Sequence, residues 1–547
     1  MKKRKVKKTR VVLLVFILLL LVGIGCGAAY LIHEYKENQK VETLYLAGDH
    51  PTVNVFDENM EEVSFYRGSE LTVKLRPATV EEEEYRLFII DDKKYYVKDD
   101  VLVADRNDCV RETSLYTLRN TVVTSDVDSF LISGYLNKNT EVTITGFDEL
   151  KADGTIDNYY VNNLGWIPAS KLDYTYHYEG LDSSIYSEAT YHAGGDPTLI
   201  DYYEKEEVKF EDNVMPDIVR ALYLNGGAII NAERYIDLAN GTDINAFVVD
   251  IKDCYVDTQV SYDSPVTAKY APSSTILNTY DEFKENVKKL KDAGYYVIGR
   301  ITAFKDDAFA HDNPDESLMW PNGGYYHYGF VDWPSIYSRK MWEYNVALAT
   351  EAVVEMGFNE IQFDYARSPE DIDDGVLRRN TYDETPSQAI TEFLRYATEN
   401  MHKIGAYISA DVFGEISGWT TQSCTAFVSY YGQFWPAISN VVDAISSMPY
   451  PDHFSNGAFG IDYPWDQPGS IMYAWAKATW FAQDETYYPA KCRTWIQVQD
   501  PAGRDYDKYD IKAQIDGLKN AGVYDGFMTW NAASSYYFYN MCIDVLN

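Results

Sequence analysis

From residue 217 onward the chain alternates short apolar runs with amphipathic ones, eight times over, and that alternation narrows the fold more than any other feature. The runs are ALYLNG (221–226), AFVVDIKD (246–253), YVIGRITAF (296–304), EIQFDYA (360–366), AYISADVF (406–413), DAISSMPY (443–450), RTWIQVQ (493–499) and DGFMTWN (525–531). Between several of them apolar residues recur at helical spacing: Phe283, Val287 and Leu290; Trp342, Val346, Ala349, Val353 and Met356; Ile390, Leu394, Ala397 and Met401; Ile511, Ile515 and Leu518. Gly294, Gly357, Gly405 and Gly522 each stand just before the next run, where a left-handed residue stops a helix. Eight strand–helix units over residues 217–547 predict an α/β fold, a (β/α)8 barrel with insertions. An open doubly wound sheet would want Gly-x-Gly-x-x-Gly after its first strand, and none follows.

The residues before the barrel divide further. Residues 1–10 carry seven Lys or Arg, and residues 11–32 carry no charge. An apolar run of that length spans a bilayer, and its basic flank stays on the cytoplasmic side. The expectation is therefore an uncleaved single-pass anchor with the bulk of the chain outside the cell, rather than cleavage near Ala28 and Ala29. Residues 41–105 and 106–173 read as two β-rich modules of short alternating strands. The second, with EVTITGF and NNLGWIPASKL, resembles a bacterial SH3-like module, and the first aligns loosely with it. Residues 174–216 lack a period and read as a linker.

A net charge of −36 excludes a nucleic-acid partner, because phosphate binding needs a basic face. Cys109, Cys254, Cys424, Cys492 and Cys542 are few, odd in number and widely spaced, so no disulfide framework is implied. No Cys or His pair has zinc-site spacing, and no metal or other cofactor is expected.

Barrel strands are buried on both faces, so polar residues along them need a reason. Asp250 and Lys252 share a phase on the second strand, with Asp253 just beyond; Arg300 lies on the third. Gln362 and Asp364 share a phase on the fourth, followed by Arg367; Ser409 and Asp411 lie on the fifth, Gln497 and Gln499 on the seventh. Singly, each has a plain explanation: Asp364 could cap its loop or pair with Arg367, and Asp250 could neutralise Lys252. Together they crowd the C-terminal strand ends, where this fold builds its active sites.

Paired carboxylates with aromatic walls suit cleavage of a glycosidic bond, one acid protonating the leaving oxygen while the other attacks or activates water. Asp364 and Asp411 are the expected catalytic pair, because adjacent strands lie about 5 Å apart. Asp364 is assigned as nucleophile or base and Asp411 as acid. The expected substrate contacts are Asp250, Lys252, Arg300, Gln362, Arg367, Tyr450, His453, Gln497 and Trp530. His453 could equally bond its own loop. Trp333 and Trp465 also fall near the rim, whereas Trp342 and Trp475 fall within helices and should be core.

The stretches VVDIKD, GRITAFKD, GFNEIQFDYARSP, ISADVFG, SSMPYPDHF and TWIQVQD occur in the order and spacing of a family of bacterial surface proteins. On these, residues 219–535 resemble the family described as the Putative glycosyl hydrolase domain. The resemblance implies a (β/α)8 barrel and a glycoside hydrolase activity, with the fourth-strand aspartate Asp364 at the nucleophile position of alpha-galactosidase-type barrels. Where the family commonly has an aromatic before the proline, this chain has Ser368. The leading expectation is a membrane-anchored hydrolase of an extracellular or cell-wall polysaccharide. The competing one is a non-catalytic carbohydrate-binding or wall-scaffolding protein, which would not require two carboxylates within reach of one bond. A metal-dependent deacetylase would need His and Asp at ligand spacing, and the sequence displays none.

Overall fold

The structure is a computed structural model, and it describes residues 2–176, 207–370, 372–417, 430–484, 486 and 488–547. Cys424 and most of the 174–216 segment lie outside the described residues. The chain forms two compact units, one of residues 1–119 and 138–176, the other of residues 120–137 and 177–547.

The first unit opens with a helix, Lys2–Asn38, on which the apolar side chains from Val11 to Ile32 are exposed. It is long and apolar enough to cross a membrane, which fits an anchor or a signal sequence. An antiparallel sheet between Val41 and Val103 follows, in which alternate residues turn inward: Val53 and Val55 on one strand, Leu71 and Val73 on another. A second antiparallel set has the order Gly165–Pro168, Asn158–Val161, Glu141–Phe147, Ser114–Thr117, Leu172–Asp173. A buried ion pair ties the two sets together. The Arg67 guanidinium meets the Glu112 carboxylate, which also accepts from the hydroxyls of Tyr159 (2.9 Å) and Tyr174 (3.1 Å). Arg67 Nε donates to the carbonyl of Gly154 at 2.6 Å, so both sides of this charge pair have a further polar neighbour.

The second unit is a closed barrel of eight parallel strands: β1 Val219–Leu224, β2 Ala246–Cys254, β3 Tyr296–Thr302, β4 Glu360–Asp364, β5 Tyr407–Phe413, β6 Ala444–Met448, β7 Lys491–Gln497 and β8 Gly526–Trp530. β1 pairs with both β2 and β8, which closes the ring. At that seam Gly526 opens β8 with a φ of +125°, and a Cβ there would meet the Val219 carbonyl oxygen at 1.8 Å, so only glycine lets the strands join. The four helix-stopping glycines read from the sequence all adopt left-handed backbone, with φ between +77° (Gly405) and +89° (Gly294).

Two apolar layers hold the barrel. Phe247, Val249, Ile301, Phe363, Ile408 and Phe527 face outward onto helices such as Arg339–Glu351 and Pro386–Lys403, where Trp342 is fully buried. Ala221, Val248, Ile298, Tyr407, Trp495 and Met528 fill the interior. A buried polar layer crosses the floor: Glu360 accepts from Arg493 (2.9 Å), Tyr296 (2.9 Å) and Ser409 (2.5 Å). Beneath it, Val208, Phe210 and Met215 pack across the N-terminal end, and Asn213 donates to the carbonyls of Asn359 and Gly405. The bottom of the barrel is thus sealed by residues placed in the linker on sequence grounds.

Candidate active site

Strand register decides which polar side chains meet. Asp250, Arg300, Gln362 and Ser409 stand side by side on β2 to β5, and Asp364 stands beside Thr302 one step nearer the C-terminal rim. Arg300 is the hub. Its Nε and Nη2 donate to one oxygen of Asp364 (3.0 and 2.6 Å), and its Nη1 donates to Asp250 (2.7 Å) and Asp253 (3.3 Å). A planar guanidinium can serve several carboxylates at fixed angles, which an ammonium cannot. Burial opposes the charge, but Asp250, Asp364 and Asp253 hold Arg300 well above its ordinary value.

These groups open into a cavity of about 730 Å³ at the C-terminal strand ends. Trp530 forms one wall, with Tyr223 4.9 Å away and Tyr450 stacked at 6.2 Å. Asp250 lines the cavity and also accepts a short hydrogen bond from the Tyr223 hydroxyl. Burial pushes its carboxyl up to about 7, and the pull of Arg300 does not cancel this. Asp364 accepts from the backbone N–H of Tyr365 at 2.6 Å through its other oxygen. Tyr365 itself has a left-handed backbone, φ +50°, of the kind that concentrates at functional sites.

Seven of the residues picked from the sequence line this cavity: Asp250, Arg300, Asp364, Arg367, Tyr450, His453 and Trp530. Four do not. Asp411 is fully buried beneath the cavity, one oxygen accepting from Trp495 Nε1 at 2.8 Å and the other without a partner among the described residues. Burial and the nearby charge of Asp364 push its carboxyl well above the ordinary range, and it is not among the residues that line the cavity. Lys252 leaves the pocket because a β-bulge follows Asp250 and breaks the expected phase. It points into the strand–helix layer, to Asp306 (2.6 Å) and Asn345 (3.2 Å) under the ring of Tyr344. Gln362 lies below, donating to Ser446. Gln497 braces a loop through Asp452 and Gln514. Arg367 does not pair with Asp364; its Nη1 donates to the Ser368 carbonyl.

Sequence reasoning passed over Tyr223, Trp495 and Lys305, all lining the cavity. The first two look like strand-core aromatics, and only the hydrogen bond each donates to an aspartate distinguishes them. It also found no His and Asp at ligand spacing, but the fold supplies a group. Asp307, His311 and Asp332 bring ligand atoms within 4.8 Å of one another, and His327 lies 3.1 Å from Asp332. Asp307 and His311 are one helical turn apart, but Asp332 arrives on a separate hairpin, so local spacing offers only two of the three members.

A closed (β/α)8 barrel with acids and aromatics gathered at its C-terminal rim is an arrangement of the glycosidase-like kind. Residues 221–536, more than half of the chain, match the family described as the Putative glycosyl hydrolase domain, and the chain belongs to that family. No curated protein matches it. Among solved structures it is similar to a hypothetical protein from Ruminiclostridium thermocellum ATCC 27405 (34% identity over 35% of this chain and 97% of that one, TM-score 0.30). It is also similar to the PgaB (BpsB) glycoside hydrolase domain from Bordetella bronchiseptica (14% identity, 58% and 95%, TM-score 0.43). A third is the chitobiase of Flavobacterium johnsoniae (11% identity, 61% and 48%, TM-score 0.37).

Proposed function

We propose that this protein is a membrane-tethered glycoside hydrolase acting outside the cell on a polysaccharide. One observation carries the reading: two cavity-lining carboxylates, Asp250 and Asp364, share one guanidinium at the foot of an aromatic wall. The acid partner therefore moves from Asp411 on β5 to Asp250 on β2. Asp250, half protonated near pH 7, gives its proton to the leaving oxygen. Asp364, oriented by Arg300 and the Tyr365 N–H, attacks the sugar carbon or activates the water that does. Trp530 and Tyr450 stack against the sugar ring.

The test is release of new reducing ends from a panel of wall and extracellular polysaccharides by the full-length chain in detergent. Wild type should release product, and Asp250→Asn and Asp364→Asn should not. Tight glycan binding without release, unchanged in both variants, would replace the enzyme with a binding protein. The acid assignment also predicts that activity falls as pH rises through about 7, when Asp250 loses its proton. The Tyr223 hydrogen bond lowers the Asp250 pKa, so Tyr223→Phe should move that alkaline limb upward. A bond to a charged group is worth ~1.5–3 kcal/mol, or roughly one to two pH units. A limb that does not move would assign it to another group.

The tether has its own test. The full chain should sediment with membranes and resist alkaline carbonate, whereas a chain beginning at Lys40 should be recovered in solution. A full chain recovered in solution would remove the anchor.

A further inference from the structure

The buried cations of the barrel obey a rule with one departure. Lys252, Arg300, Arg395 and Arg493 each have a carboxylate within 3.4 Å. Lys305, 7% exposed, makes no ion pair or hydrogen bond among the described residues. It follows β3 and lines the cavity. Arg367, following β4, lines the same cavity and makes no ion pair among the described residues either. The two cations flank one ring, Lys305 4.8 Å and Arg367 5.0 Å from the centre of Tyr365. Trp333, Phe413 and Tyr431 enclose the guanidinium further, at 5.1, 4.8 and 5.3 Å.

Holding an ammonium out of water without a counter-ion is costly, and folded chains keep such groups where a ligand supplies the missing charge. Burial lowers the pKa of both groups. The acids of the cavity do not supply one, because Asp250, Asp253 and Asp364 are gathered on Arg300. Nor does the protein as a whole attract anions, since its net charge is −36. An anionic ligand would be held here by local geometry rather than by the long-range field.

We propose that Lys305 and Arg367 form a subsite for an acidic sugar, so that the glycan carries a carboxylate or phosphate on the unit lying beside Tyr365. This rests on the glycoside hydrolase reading for its substrate class. The cations supply charge-assisted hydrogen bonds, and the aromatic rings exclude water and fix the guanidinium.

Binding, rather than turnover, tests it. The full-length chain in detergent is titrated with glucuronate, glucose 6-phosphate and glucose at low salt, followed by tryptophan fluorescence. At least one acidic sugar should bind tenfold or more tightly than glucose, and which one does so identifies the acidic group as carboxylate or phosphate. Lys305→Gln and Arg367→Gln should each reduce that preference severalfold, and the double variant should abolish it. Lys305→Met should lose the preference and also unfold at a higher denaturant concentration than wild type, because it removes an unpaired buried charge. Equal binding of all three sugars, or a preference that survives the double variant, overturns the proposal. If the preference follows the cations but no polysaccharide is cleaved, the hydrolase reading fails and the subsite stands.

Discussion

Asp364→Asn should lower turnover by ~10²–10⁴ or more, the range for removal of a positioned acid–base or nucleophilic group, with glycan affinity changed only a few-fold. The substitution preserves size, but it cannot preserve the bonding. Asp364 accepts on both oxygens, from Arg300 on one and from the Tyr365 N–H on the other, and an amide must turn its NH2 against one of those donors. Asp411→Asn provides the contrast. Asp411 is pushed well above the ordinary carboxylate range by burial, keeps one oxygen for Trp495, and has no partner for the other among the described residues, so asparagine reproduces its bonding. Its effect should stay below about tenfold, since it neither meets substrate nor moves a proton. Reducing-end release and fluorescence titration on both variants, with circular dichroism to confirm folding, separate the two residues. If folded Asp411→Asn loses as much as Asp364→Asn, the sealed carboxyl takes part in the chemistry and the β4–β5 pair expected from sequence is restored.

The barrel was legible because its signals are local. Helical spacing, apolar runs and four glycine stops each lie within a few residues, and the strand boundaries follow from them. The site was legible only in part, since it depends on depth and phase. Asp364 and Asp411 look alike in sequence, yet one lines the cavity and the other lies sealed under Trp495. Lys252 was misassigned by a single bulge, which no alternation reveals in advance. Glu360 opens the apolar run of β4 and is the fully buried anchor of Arg493, a pairing between strands far apart in the sequence. The cage around Arg367 draws Trp333, Tyr365, Phe413 and Tyr431 from four separate segments, so its existence is a property of the fold.

Arg300→Met should be the most damaging single substitution in the barrel, and its effect should depend on pH in a way that reveals what Arg300 does. Removing one partner of a buried ion pair typically costs ~3–5 kcal/mol, a large share of the ~5–15 kcal/mol that holds a domain together. Here one guanidinium serves Asp250, Asp253 and Asp364, so its loss leaves three carboxylates facing one another. The pH dependence follows from Asp250. Its folded pKa is raised to about 7, so its contribution to stability is full below the ordinary carboxylate range and is lost as pH rises toward that value. Below about pH 7 the folded form of either protein holds the Asp250 proton, and this group adds nothing to the difference between them. Above it, wild type ionises Asp250 beside Arg300 and its loss levels off. The variant has no cation to accept that charge, so its folded pKa lies higher and its stability goes on falling. Urea midpoints at pH 5.5, 7 and 8.5 should therefore show a gap that widens above about 7. Arg300→Lys should narrow that gap by restoring a charge, but recover little turnover, because a point charge does not orient Asp364 through two N–H groups. A gap of constant size across the range would mean that the carboxylates do not depend on Arg300 for their charge, and the acid–base pair built around it would fall with that result.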